Sequence, residues 1–311
     1  MVINPRVEMM PTEEKVELIL QRFRKNLRWA LEKSSFYKKK YNGLDIHAED
    51  IKTLSDIRNL PVTTRDELIQ ASAFDLLTGP LSQTLRFNRT ISGLYRGFTA
   101  DDIARNIDIA IRPLASNDIN KTSTLIICGN YSSQYLLDLH YAAEALGATV
   151  LPCNSVDAAI DVIGIFNATS LIISAKNLKT MIERNVEHLP PKIIVLIDNF
   201  QDTTLDEIEH HFHHPLAKVY MSKYFGFAGI IFTCEHNHVH VQDDYLYPEV
   251  VDNKLVITPL TFEAMPIIRF QTKLTASIDY KHTCECGRTF ATIQFCLLYT
   301  SPSPRDLSTS R

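Results

Sequence analysis

Two hydrophobic periods organise the first two thirds of the chain. Near the N-terminus apolar residues recur every three or four positions, which predicts one long amphipathic helix with Thr12 as its N-cap. From residue 124 to residue 221, short apolar runs alternate with helical patterns. This alternation is typical of β-α-β units, which build a mainly parallel sheet covered by helices. The predicted strands are 124–128, 148–152, 170–174, 193–197 and 218–221; the predicted helices are 135–146, 157–166, 176–187 and 204–213.

The pattern changes after Phe225, where shorter apolar segments are linked by turn residues. These segments predict a smaller β-rich lobe over residues 225–295, appended to the α/β part of the chain. The predicted strands of the lobe are 230–233, 239–242, 249–251, 254–258 and 267–271.

The last sixteen residues, 296–311, follow neither period and are crowded with Ser, Pro and Thr. Their sequence, CLLYTSPSPRDLSTSR, resembles a translated transposase sequencing adapter, so we expect a non-native tail after Phe295 and set Cys296 aside. The alternative is a natural disordered C-terminus. With an adapter-derived tail, the natural gene is expected to continue past residue 295.

Composition and charge narrow the function classes. The chain is 45% hydrophobic and 22% charged, as in soluble globular proteins. A formal net charge of -4 provides no general attraction to nucleic acid or to an anionic membrane. We find no signal peptide and no apolar run long enough to span a bilayer. We therefore expect a cytoplasmic protein that binds neither nucleic acid nor a membrane. In that compartment the six cysteines are free thiols or metal ligands rather than disulfides.

Several segments resemble the phenylacetate–CoA ligase branch of the adenylate-forming enzymes. The resemblance covers residues 34–290 and is carried by SSFYKKKYNGLDIHAEDIKTLSDIRNLPVTTRDEL, HYAAEALGATVLP, TPLTFEAMPIIRF and CECGR. It implies that residues 1–295 form the multi-lobed N-terminal AMP-binding domain, without the C-terminal lid domain that carries the catalytic lysine. It also implies ATP- and Mg²⁺-dependent joining of a small aryl or acyl carboxylic acid to AMP, followed by transfer to CoA or a carrier thiol. Homodimers are common in this family.

The nucleotide motifs of the family are only partly present. By resemblance, the nucleotide-binding residues are Ser92, Gly93, Gly226, Arg269 and Thr272. The phosphate loop has lost its Thr-Thr-Gly-Lys part, and Arg89 or Arg96 either contacts phosphate or belongs to a surface hairpin.

Two acidic residues of the family pattern are also replaced. The Mg²⁺-binding glutamate has become Gly229 and the ribose-binding aspartate has become Leu274. These departures argue against adenylation by this polypeptide.

The acid-binding pocket is expected at the end of the first central strand, because ligands of open α/β sheets bind beyond the carboxyl ends of strands. The resemblance assigns its walls to Asn130, Tyr131 and Phe227. The alternative for this segment is a plain helix N-cap at Ser132 or Ser133.

Cys234, His240, Cys284 and Cys286 are the candidate metal ligands, since tetrahedral Zn²⁺ takes about four Cys and His ligands in close pairs. Related ligases carry cysteines and a histidine at similar places, which implies a structural zinc site. Three other histidines could provide the histidine ligand instead of His240; they are His236, His238 and His282. The alternative to a metal site is a pair of buried free thiols beside exposed histidines.

A second histidine cluster lies at the end of the 204–213 helix. His210 and His214 share one face and could bind a metal, whereas histidines in a last turn also favour the negative end of a helix. The cluster consists of His210, His211, His213 and His214.

Two functions follow. The first is an acid–thiol ligase; the second is a non-catalytic relative that keeps the fold as a binding or assembly partner.

Overall fold

The computed structural model describes residues 1–90, 93–198, 204–221 and 228–295. Three predicted site positions, Ser92, Gly226 and Phe227, lie outside these residues, as does the predicted tail 296–311. None of the helices in the described ranges is both long and apolar enough to cross a membrane. The helices are α1 Pro5–Glu8, α2 Thr12–Lys33, α3 Ser35–Lys40, α4 Leu54–Ile57, α5 Arg65–Gln70, α6 Ala73–Leu76, α7 Ala100–Ser116, α8 Gln134–Ala145, α9 Val156–Phe166, α10 Ala175–Glu183 and α11 Thr204–Phe212.

The strands form a two-stranded hairpin and one large mixed sheet. The hairpin pairs β1 Arg86–Arg89 with β2 Tyr95–Phe98. The strands of the large sheet are β3 Thr124–Cys128, β4 Thr149–Cys153, β5 Ser170–Ser174, β6 Lys192–Ile197, β7 Ala217–Met221, β8 Ala228–Thr233, β9 Val239–Val241, β10 Leu246–Val251, β11 Lys254–Pro259, β12 Phe270–Asp279 and β13 Thr292–Phe295. Their order is β10-β11-β12-β13-β9-β8-β7-β6-β5-β3-β4.

The parallel half of the sheet has the predicted β-α-β arrangement. Strands β4, β3, β5, β6 and β7 pair in parallel. Both faces are covered, because α7 and α8 pack on one side while α9, α10 and α11 pack on the other. Burial on both faces explains why these strands are continuous apolar runs, as in Leu171–Ile172–Ile173. The predicted α/β fold class is confirmed.

The antiparallel half continues the same sheet. Strand β8 pairs with β7 in the antiparallel sense, so β8–β13 extend the parallel half. The long strand β12 joins two pairings: its first part pairs with β11 and its last part with β13. Both edge strands contain a proline, Pro248 in β10 and Pro152 in β4. Proline suits an edge because it lacks the N–H that a central strand would donate.

The N-terminal segment packs against the antiparallel half through buried ion pairs. Lys15 lies 3.0 Å from Asp243, and the Arg288 guanidinium donates to Glu8 at 2.8 Å. Because removing one partner of a buried pair leaves an uncompensated charge, these contacts fix the first helices against the sheet.

Two local predictions are wrong. Helix α2 begins at Thr12 itself, and Pro11 occupies the N-cap position without a side-chain cap. The strand predicted at 267–271 begins only at Phe270, because Arg269 has a left-handed backbone (φ 51°) that an extended strand does not accept. Helix α5, by contrast, begins with a capping box formed by Thr64 and Glu67.

Candidate functional site

The four predicted metal ligands lie together between the β8–β9 hairpin and the turn before β13. Cys234 follows β8 and His240 lies within β9, whereas Cys284 and Cys286 lie on a tight turn. That turn is closed by the Gly287 N–H, which donates to the Cys284 carbonyl at 2.9 Å. The four ligand atoms lie within 4.8 Å of one another, and three of the four residues are buried.

The distances fit a tetrahedral zinc ion. With Zn–S bonds of about 2.3 Å and Zn–N bonds of about 2.0–2.1 Å, a tetrahedron separates two sulfurs by about 3.8 Å and a sulfur from a nitrogen by about 3.6 Å. Cys234 Sγ lies 3.7 Å from Cys284 Sγ. Cys286 Sγ lies 3.5 Å from His240 Nε2. The donor set therefore fits the ion in both chemistry and spacing.

The cluster also favours thiolate formation. The Cys234 thiol donates toward Cys286, which lowers the pKa of Cys286 and raises that of Cys234; His240 adds to the lowering at Cys286. Burial raises the pKa of Cys284. A thiolate is the form that binds metal, and the lowered pKa of Cys286 favours that form.

Neighbouring groups orient two of the ligands. His240 Nδ1 lies 3.4 Å from the Phe290 carbonyl, and the His236 N–H donates to Cys234 Sγ at 3.4 Å. Arg288, whose role was not predicted, contacts Cys286 and also binds Glu8. Its place at the end of Cys-x-Cys-Gly-Arg was the signal that could have identified it.

The described part of the phosphate-loop position is a tight turn between β1 and β2. The Gly93 N–H donates to the Thr90 carbonyl at 2.9 Å, and the Thr90 N–H donates to the Leu94 carbonyl at 2.8 Å. The Leu94 N–H donates to Thr90 Oγ1 at 3.1 Å. These three backbone N–H groups are therefore used within the turn.

The two arginines of this hairpin differ. Arg89 is exposed, as expected for a surface hairpin, but Arg96 is only 1% exposed. Burial lowers the pKa of Arg96 to about 10, against the opposing effect of Asp102. The surface interpretation is thus wrong for Arg96.

Gly229, which the resemblance aligns with the family's Mg²⁺-binding glutamate, is packed tightly against α7. Its φ is +85°, and a Cβ added there would lie 2.8 Å from Pro113 Cγ. The pairing of β7 with β8 shifts register beside it, which is typical of a bulge with a left-handed glycine.

Arg269 and Thr272, which the resemblance assigns to nucleotide binding, make internal contacts. Arg269 is 3% exposed, and its guanidinium donates to Glu249 at 2.7 Å and to the carbonyl oxygens of Arg58 and Leu60. The Thr272 hydroxyl donates to the Leu255 carbonyl at 2.7 Å. The residue in the aspartate position, Leu274, packs against the apolar core.

Two of the predicted acid-pocket residues, Asn130 and Tyr131, lie between β3 and α8. The Asn130 side chain accepts from the Ser132 N–H at 3.0 Å and so closes the turn that leads into the helix. The Tyr131 hydroxyl lies 3.3 Å from His140 Nδ1, and burial raises its pKa. Ser133 occupies the N-cap position but makes no side-chain cap.

The histidines at the end of α11 do not converge on one point. His214 Nδ1 lies 3.0 Å from the Pro215 carbonyl, and His210 packs beside His213. In the described ranges, the groups of three or more metal-ligating side chains do not include them.

Comparison with known proteins confirms the resemblance. No protein-family model matches the sequence. The chain is 25% identical over 306 residues to the phenylacetate–coenzyme A ligase of Escherichia coli K12, covering 88% of this chain and 70% of that enzyme. It is 24% identical to the phenylacetate–coenzyme A ligase of Thermus thermophilus, covering 93% and 71%.

Solved structures share the fold. A 2-hydroxyisobutyryl-CoA ligase in its postadenylation state superposes with a TM-score of 0.81 at 17% identity, covering 93% of this chain and 68% of that one. An open conformation of the ligase, in complex with 2-HIB-AMP and CoA, gives a TM-score of 0.79 and covers 75% of that chain. The chain therefore has the fold of adenylate-forming CoA ligases, and its curated relatives are phenylacetate–CoA ligases.

Proposed function

We propose that this chain is a non-catalytic relative of the acid–thiol ligases, which keeps their fold as a binding or assembly partner and does not adenylate a carboxylate itself. The observation that carries the proposal is the internal use of three positions at which the family binds nucleotide. They are the described residues of the phosphate-loop turn (Thr90, Gly93 and Leu94), Gly229, and the Arg269–Leu274 segment.

In the described part of the phosphate-loop turn, the backbone donors that a triphosphate needs are already used. Phosphate loops bind their ligand through backbone N–H groups that point at it. Here the N–H groups of Thr90, Gly93 and Leu94 are bonded within the turn. Presenting them to a phosphate would require breaking the turn.

The metal and ribose contacts are replaced by packing. Glycine at 229 offers no ligand to Mg²⁺, which prefers carboxylate oxygens. The close approach of Pro113 also leaves no space for a side chain. Leu274 cannot accept a hydrogen bond from a ribose hydroxyl. Restoring these nucleotide contacts would therefore require changes in the surrounding packing as well as new side chains.

The competing function is the ligase reaction of the relatives: ATP and Mg²⁺ would activate a small carboxylic acid beside Asn130, Tyr131 and Phe227, with transfer to CoA or a carrier thiol. The retained fold and the similarity to phenylacetate–CoA ligases favour it. The internal contacts at the nucleotide positions favour the non-catalytic role.

In either case, Cys234, His240, Cys284 and Cys286 would hold a structural zinc ion. With four protein ligands such a site is closed, so the ion would stabilise the fold rather than react with substrate. It would join the β8–β9 hairpin to the turn before β13.

Nucleotide binding separates the two functions. We expect calorimetric titration of the chain with ATP·Mg²⁺, or with a non-hydrolysable phenylacetyl-adenylate analogue, to show no saturable binding. The full-length E. coli relative serves as the control for both ligands. Saturable binding of the analogue to this chain, at an affinity close to that of the control, would contradict the proposal. Binding is the better readout than turnover because it reports directly on the nucleotide positions.

A further inference from the structure

A second group of metal-ligating side chains adjoins the zinc cluster and shares one ligand with it. The ligand atoms of His238, His282 and Cys284 lie within 4.8 Å of one another. His238 Nδ1 is 3.2 Å from Cys284 Sγ, and the rings of His238 and His282 lie 4.6 Å apart. Cys284 therefore lies between two sets of donors.

One imidazole nitrogen of this second group is buried without a hydrogen bond to the described part of the chain. His282 Nε2 is buried and has no hydrogen-bond partner within the described ranges. A buried polar nitrogen without a partner is costly, and a metal ion would satisfy it. Both histidines are themselves only half-buried, so an ion beside them would keep a face open to water.

The charges favour an ion on the Cys284 side. Three thiolates around one Zn²⁺ leave a net charge of about -1 on the loaded cluster. On the Cys286 side, the Arg288 guanidinium lies close enough to compensate it. On the Cys284 side the sulfur faces two imidazoles, and a thiolate bound to one metal keeps lone pairs that can bind another.

We propose that the cluster is a two-metal centre: beside the ion held by Cys234, His240, Cys284 and Cys286, a second ion is bound by His238, His282 and the bridging sulfur of Cys284. This inference rests on the zinc centre proposed above. Imidazole and thiolate donors suit Zn²⁺ and similar divalent transition metals rather than Mg²⁺ or Ca²⁺. A water completes the second site, which makes that ion the more exchangeable of the two.

Metal stoichiometry tests the two-metal centre. The full chain is stripped with a chelator under reducing conditions and then titrated with Zn²⁺ in competition with a chromophoric chelator. We expect two ions per wild-type chain and one in His238→Ala and in His282→Ala. His236→Ala is the matched control, because its ring faces Glu285 at 3.2 Å and lies outside both groups; it should bind two. With Co²⁺, the sulfur-to-metal charge-transfer band should rise steeply through the first equivalent and by a smaller step through the second.

Each other outcome overturns the proposal in a distinguishable way. One ion in the wild type leaves the zinc centre standing without the second site. No bound ion removes the zinc centre as well. Two ions in both wild type and His282→Ala place the extra ion elsewhere, as on the α11 histidines. Loss of both ions in either variant, with the circular dichroism of the wild type retained, makes that histidine a ligand of a single site.

Discussion

Gly229 combines a left-handed backbone with close packing against α7, so a side chain there should destabilise the protein in two ways. A left-handed backbone costs an L-residue about 1–2 kcal/mol. Overpacking beside Pro113, 2.8 Å from an added Cβ, costs about 1–3 kcal/mol more. We expect Gly229→Ala to lower the free energy of unfolding in urea by about 2–5 kcal/mol.

Gly164 provides the matched control for this substitution. It lies in α9 with an ordinary backbone, and an added Cβ would meet nothing within 4 Å. Gly164→Ala should therefore stabilise the protein by about 0.5–1 kcal/mol. Equal effects at the two positions would mean that Gly229 is not constrained, and that a glutamate could be restored there at little cost.

At the residue scale, the sequence predicted which side chains could act together better than it predicted their burial and contacts. Cysteine and histidine spacing, together with the family resemblance, predicted that Cys234, His240, Cys284 and Cys286 lie together, and their ligand atoms do. The burial of Arg96 could not be predicted, since arginine is exposed by default and its surroundings depend on packing. For the same reason the internal bonds of Arg269 could not be read from its motif.

The β1–β2 hairpin is tied to helix α8 by a buried carboxylate that should make stability depend on pH. Asp138 is fully buried and accepts from Arg86 Nη1 at 2.7 Å. Burial raises its pKa from 3.8 to about 6, although Arg86 opposes the change. A raised folded-state pKa stabilises the fold fully below about pH 4, and that contribution is lost as the pH rises through about 6.

Asp138→Asn tests this dependence. Because the variant lacks the titrating group, its unfolding free energy relative to wild type should rise by about 1–3 kcal/mol between about pH 4 and pH 7. Urea unfolding at both pH values gives this difference. Asp161→Asn is the control, since it removes an exposed carboxylate of α9. A shift of opposite sign would mean that the ion pair with Arg86 outweighs the cost of burial.

At the element scale, the parallel half was predictable and the antiparallel half less so. Strands buried on both faces are apolar throughout and keep their bounds within a few residues, as β5 does. Strand β12 could not be delimited, because the apolar run ending at Arg269 is buried without being extended. Its polar continuation to Asp279 is a strand only because β13 pairs with it.

At the scale of the whole molecule, the contacts between distant segments were not predictable. The helical period of α2 shows that one face is buried, but not that it packs against Tyr247, Leu260 and Ile268. The pairing of Glu8 with Arg288 joins residues 280 positions apart. Such contacts join the two ends of the chain, because they hold the first helices against the antiparallel half of the sheet.

These contacts between the two ends of the chain predict that the first helices unfold together with the sheet. The chain has one tryptophan, Trp29, which lies in α2 and donates from Nε1 to the Glu263 carbonyl at 3.0 Å. Its fluorescence therefore reports the packing of α2, whereas far-ultraviolet circular dichroism reports the helices and sheet as a whole. We expect both probes to give the same urea midpoint and the same slope, as for a single cooperative unit.

A variant sharpens the comparison of the two probes. Asn26 is buried, and its Nδ2 donates to the Pro259 carbonyl at 2.7 Å, so Asn26→Ala leaves that carbonyl without its donor. The loss of about 1–3 kcal/mol should lower both midpoints equally, because the same unfolding event is measured twice. A fluorescence midpoint that falls while the circular dichroism midpoint stays in place would mean that α2 detaches on its own. In that case the buried pairs of Lys15 and Glu8 would not couple the two ends of the chain.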